Sequence, residues 1–146
     1  MPELNPVAVK WVAALRSGKY KQGRNYLRSK DNKFCCLGVL CELAVEDKVI
    51  DPPRLVPAYT EDKDGNEISR CTYVYSYGKY PDSKRTYLPE AVREWADLID
   101  PAGSHTTDKG RRYLDFLNDH EHWSFDQIAD LIESNPKDLF VDIKKL

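Results

Sequence analysis

The sequence predicts an α+β fold, with four to five helices packed around a small antiparallel hairpin or sheet. Three observations carry that expectation. Helix-start signatures recur at Asn5-Pro6, at Pro89 and at Ser124 with Gln127. The block from Phe34 to Ala44 (Phe-Cys-Cys-Leu-Gly-Val-Leu-Cys-Glu-Leu-Ala) is apolar almost all round, as a central helix is. Two strand-like runs, Val56 to Thr60 and Glu67 to Tyr75, flank a turn from Asp62 to Asn66 that contains Asp-Gly.

The elements follow in order. Asn5 caps a first helix, Pro6 opens it, and Val7, Trp11, Ala14 and Leu15 recur on one face until Gly18 stops it. A short strand is expected at Tyr26-Leu-Arg28, then a turn over Ser29 to Lys33. Asp31 or Asn32 caps the central helix, expected from Phe34 to Glu46. Pro52, Pro53 and Pro57 break the chain before the hairpin. The helix opened by Pro89 should bury Val92, Trp95, Ala96 and Ile99. A break at Asp100 to Ser104 precedes a short helix over Tyr113 to Leu117. In the last helix Phe125, Ile128, Ala129 and Ile132 point inward, and Asn135-Pro136 ends it.

The 146 residues fit one compact domain spanning 1–146. No apolar run reaches the roughly 20 residues of a membrane span, and the N-terminus lacks a secretory pattern, so a cytoplasmic location is expected. Cys35, Cys36, Cys41 and Cys71 then read as reduced core thiols. The net charge of −2 disfavours bulk attraction to nucleic acid, but residues 16–33 carry seven Lys/Arg against Asp31 alone. That local +6 leaves −8 on the rest of the chain. It is either a solvated face or a positive potential that draws a phosphate-bearing ligand or an acidic partner.

Four constellations could carry chemistry. Gly18 and Gly23 bracket Lys19, Tyr20, Lys21 and Gln22, with Arg24 and Arg28 close behind, so backbone N–H groups and cations could cradle a phosphate. The spacing is not that of a P-loop. Tyr73, Tyr75 and Tyr77 alternate and should share one face of a strand, with Tyr80, Tyr87, Lys79, Lys84 and Arg85 nearby. Tyr77 and Tyr80 are the candidates for stacking on a base, against the plainer reading of the stripe as sheet packing. Cys35 or Cys36 at a helix start could be a nucleophile activated by His105, His120 or His122. His120-Glu-His122 with His105 could collect zinc, but no C-x-x-C pair accompanies it and the stretch reads as a polar connection, so neither a metal nor a cofactor is expected.

Trp11-x3-Leu15-Arg-Ser-Gly-x-Tyr20-x-Gln-Gly23, followed by Phe34-Cys-Cys-Leu-Gly-Val-Leu-Cys41, resembles the start of a widespread family of small phage and prophage accessory proteins of unassigned activity. The resemblance continues through Tyr87-Leu-Pro89 with Trp95, Leu117-Asn-Asp119, and Ser124 to Glu133. Relatives carry a short Gly-bearing turn where this chain has His120-Glu-His-Trp123. The resemblance supplies no catalytic residue. It implies a non-enzymatic anti-defence protein, either a sponge for a nucleotide immune signal or an inhibitor directed at a host protein. A homo-oligomer with a shared site is compatible with both.

Overall fold

The structure, a computed structural model, describes residues 4–61, 67–107 and 110–141. Its elements run α1 (Pro6–Arg16), β1 (Lys21–Gln22), β2 (Lys33–Phe34), α2 (Cys36–Glu46), β3 (Arg54–Glu61), β4 (Glu67–Ser76), α3 (Glu90–Trp95), β5 (Ser104–Thr107), β6 (Gly110–Tyr113), α4 (Leu114–Asp119), α5 (Phe125–Ser134) and α6 (Pro136–Leu139). The fold is α+β. The Asp62 to Asn66 turn lies outside the described residues, as does the side chain of Cys71.

Local chemistry sets the helix ends. The Asn5 side chain accepts from the Ala8 N–H at 2.8 Å, and its amide donates to the Ala96 carbonyl at 2.9 Å, so one cap also ties α1 to the end of α3. Ser124 and Gln127 form a full capping box at the start of α5. Gly18 adopts φ +75°, the left-handed conformation that stops α1. Asn135 ends α5 as expected, but Pro136 then opens a further single turn, α6, because proline suits a first helical position.

The core is one buried cluster around α2, whose residues Cys36 to Cys41 and Ala44 are all buried. Its mixed apolar circumference is explained by its neighbours: α1, α3 and α4 all pack against it. α1 buries Ala8, Trp11, Val12 and Leu15, and packs on α5 through Phe125, Ile128, Ala129 and Ile132. On the rim, Arg16 reaches Asp130 and Glu133 across this contact. Pairs this exposed add little against solvent screening, so the apolar seam holds the helices together. No helix among the described residues is long and apolar enough to cross a membrane.

Among the described residues the strands pair in three two-stranded sheets: β1 parallel to β2, β3 antiparallel to β4, and β5 antiparallel to β6. Single bridges stitch two of them together. Arg28 pairs with Phe34 on one side and Ser29 with Val74 on the other. The strand expected at Tyr26-Leu-Arg28 is therefore realised as two bridging residues, which carry the loop between β4 and β2. The β5–β6 hairpin was not anticipated, and its strands are too polar and short to show a period of two.

Two expectations are corrected. Phe34 belongs to β2, and α2 starts at Cys36 with Cys35 at the cap position; neither Asp31 nor Asn32 caps it, because Asn32 sits at φ +63° inside the preceding turn. Ile99 is 48% exposed, since Asp97 turns the chain at φ +57° and Leu98 is buried in its place.

One close approach fixes how the loop seats on α2. A Cβ at Gly38 would lie 1.7 Å from the Leu27 carbonyl oxygen, and that oxygen accepts from the Cys35 N–H at 3.3 Å. Helix propensity alone makes Gly38→Ala stabilising by about 1 kcal/mol. The contact instead predicts a loss of about 3 kcal/mol, from overpacking against rigid backbone. Urea unfolding decides it, and a variant as stable as the wild type contradicts this seating.

Candidate functional site

The basic loop after α1 is pinned along its length. Gly23 N–H donates to Phe34 O (2.7 Å), Leu27 N–H to Arg85 O (2.8 Å), and Tyr75 N–H to Arg28 O (3.0 Å). Its side chains are held as well. Gln22 Nε2 donates to Asn118 Oδ1 at 2.8 Å and to the Trp123 carbonyl at 2.7 Å. Asn118 is fully buried; its Oδ1 also accepts from Cys36 N–H (3.3 Å), and its Nδ2 donates to Gly23 O (2.9 Å) and Asp119 Oδ1 (2.8 Å).

The structure brings the basic loop onto the tyrosine stripe, but the two constellations largely satisfy each other. The Arg28 guanidinium lies 4.1 Å from the Tyr75 ring centroid and 5.2 Å from that of Phe34. Its Nη1 donates to Glu42 Oε1 at 2.7 Å, while Nε and Nη2 donate to Asn32 Oδ1. Tyr77 is fully buried and donates its hydroxyl to the same Glu42 oxygen at 2.5 Å. Burial first, and the Glu42 hydrogen bond second, push the Tyr77 hydroxyl far above its ordinary value.

The expected ligand-binding residues therefore divide. Tyr77 cannot stack on a base, because its ring is inside the core. Arg28 and Gln22 are committed to Glu42 and Asn118. Reversing the charge of Arg28 would strand a half-buried carboxylate and disturb the fold, so it is no probe of binding. Lys19 lies 3.7 Å from Glu46 and over the Tyr20 ring, and Tyr20 is half-buried, edge-on to Phe34. Lys21 and Arg24 are exposed, with no carboxylate at ion-pair distance among the described residues. Tyr80 is 84% exposed, on a loop whose Gly78, Lys79 and Asp82 line a hollow with Lys48 to Asp51 and Ala91 of α3.

Sequence reasoning passed over two exposed cation–aromatic pairs. Lys30 Nζ is 5.9 Å from the Tyr73 centroid, and Lys84 Nζ is 5.6 Å from that of Tyr87; both rings are 43% exposed. The sequence signal was partial: Tyr87 and Lys84 stand together in the segment after the stripe, whereas nothing in the spacing links Lys30 to Tyr73.

Cys35 and Cys36 are buried, and burial pushes Cys35 up to about 12 and Cys36 well above the ordinary thiol value. Cys36 Sγ faces the Leu114 carbonyl at 3.6 Å. A thiol held protonated in this way is not an activated nucleophile. His105 is buried in β5, with burial lowering its pKa; His120 is exposed on α4's C-terminal cap, and His122 is exposed at φ +57°. No group of three metal-ligating side chains comes together among the described residues.

Residues 5–136 match the family described as Domain of unknown function (DUF8296). The chain belongs to the DUF8296 family. The match runs from the Asn5 cap to the start of α6, so it takes in the loop, the tyrosine stripe and Asn118 together. No curated protein and no solved structure matches the chain. In this DUF8296 domain the residues of the N-terminal and Leu-Asn-Asp motifs meet at one place. Trp11 Nε1 donates to Cys36 O at 2.9 Å, and Gln22, Gly23 and Cys36 all contact Asn118.

Asn118→Ala leaves the Cys36 N–H and the Gly23 carbonyl without their buried partner. We expect a loss of about 3 kcal/mol or more, from two or three desolvated groups. Equilibrium denaturation measures it, and a change below about 0.5 kcal/mol, the scale of a neutral surface substitution, contradicts this accounting.

Proposed function

We propose that this DUF8296 protein is a non-catalytic binder of a phosphate-bearing, nucleotide-like ligand. In this reading it is a phage-encoded protein that withdraws a nucleotide immune signal from host defence. The phage assignment rests on the motif resemblance. The binding assignment rests chiefly on one observation: Lys21, Arg24 and Lys30 make no salt bridge among the described residues, yet stand on a loop whose backbone is already fixed. A preorganised loop loses little entropy when it grips an anion. Tyr73 and Tyr87, each half-exposed beside a lysine, offer the stacking surface that Tyr77 does not.

A protein-directed inhibitor of a host defence or nucleic-acid enzyme is the second reading. It is favoured by Leu55, 45% exposed on β3, which the strand register places on the same face as Tyr73. Such an apolar–aromatic patch suits a macromolecular partner.

Isothermal titration against cyclic mono-, di- and trinucleotides, ADP-ribose derivatives and short single strands separates the two. The reading predicts that one nucleotide binds and that Lys21→Glu with Arg24→Glu weakens it about 100-fold, two charge-assisted contacts at roughly 1.5 kcal/mol each, without lowering Tm. A panel with no binder, or unchanged affinity in the double variant, rejects it in favour of a protein partner.

A further inference from the structure

The turn before β5 and the start of α4 border an open cleft of about 340 Å³, chemically opposite to the basic loop. It is lined by Ala102, Tyr113, Asp115, Phe116, Asp119 and His120. Asp115 and Asp119 are one turn apart on α4, so they share a side of the helix, and Phe116 and His120 share the adjoining one. The Phe116 and His120 rings lie 5.0 Å apart at 35° and form a wall; Phe116 is 41% and Tyr113 39% exposed.

The carboxylates have no counter-charge. Asp115 Oδ1 accepts from the Phe116 N–H and Asp119 Oδ1 from Asn118 Nδ2, both at 2.8 Å, and neither residue makes a salt bridge among the described residues. Burial, with Asp119 and Asp100 as like-charged neighbours, pushes Asp115 up to about 6. Asp100 itself stands in the field of Arg93, and the largest charge influences on Asp115 are the two carboxylates.

From this arrangement we infer that the cleft binds an alkylguanidinium group, which stacks on the Phe116–His120 wall and is held by Asp115 and Asp119. A planar guanidinium combines face stacking with forked hydrogen bonds to carboxylate. A metal ion would need more converging ligands than the described residues bring together. The volume accommodates one such chain. It could come from an arginine of a partner protein or from a free guanidino metabolite. This inference is independent of the phosphate reading.

The test is titration calorimetry of the full chain with agmatine and with Nα-acetyl-arginine N-methylamide, using spermidine as a charge control. Both guanidinium probes should bind, and Phe116→Ala and Asp115→Asn should each weaken binding about tenfold, while Lys21→Glu with Arg24→Glu leaves it unchanged. Tighter binding of the blocked arginine assigns the site to a protein side chain; tighter binding of agmatine assigns it to a free metabolite. If a variant loses Tm, chemical-shift mapping on the wild type substitutes, with perturbations expected at Tyr113, Phe116 and His120. The inference is overturned if neither guanidinium binds, if spermidine binds equally and Phe116→Ala has no effect, or if the perturbed resonances lie elsewhere.

Discussion

The carboxamide of Asn118 is the constraint on which the rest of the structure turns. It is fully buried, and its four hydrogen-bonding positions are all used: Oδ1 accepts from Gln22 and Cys36, and Nδ2 donates to Gly23 and Asp119. A buried amide left half-satisfied would be costly, so each partner must be in place together. The Cys36 contact is a remote cap. Cys35 offers no capping hydrogen bond to α2, and Asn118, 82 residues away, accepts from the Cys36 N–H at its buried first turn. The N-terminal block and the C-terminal helices are thereby committed to a single arrangement.

That arrangement divides the positive loop by depth. Its inner face is consumed. Arg28 and Tyr77 converge on Glu42, and the Arg28 and Glu42 side chains are only 21% and 18% exposed. A pair this far from solvent is costly to break from one side, because the remaining charge keeps its desolvation penalty. The outer face keeps Lys21, Arg24 and Lys30. Rigidity within and charge unpaired among the described residues come from the same loop, and the proposal of a binding role rests on that combination.

Much of the fold is legible in the sequence because its signals are local. Asn5-Pro6, Gly18, Pro89 and Ser124 with Gln127 act within one helical turn, and the hairpin strands announce themselves by composition. The misplaced start of α2 has a different origin: its cap comes from Asn118, which no nearby spacing could reveal. Tyr77 and Gln22 were misread for the same reason. Their exposure is decided by Glu42 and Asn118, partners distant in the chain. Lys21 and Arg24 keep the exposure that a basic loop suggests, because no described residue forms a salt bridge with them. The turn at His122 is a smaller case: it adopts φ +57°, a left-handed conformation that the residue type alone does not announce.

Hydrogen exchange at the Cys36 amide tests the central claim most directly, because the acceptor the structure gives this N–H is the Asn118 side chain. If Asn118 holds the two halves as one cooperative unit, this amide should exchange only through global unfolding, as slowly as the amides of Leu40 and Ile132 in the core. Exchange orders of magnitude faster, with Leu40 and Ile132 still protected, would mean that the Asn118 contacts open locally and do not unite the fold.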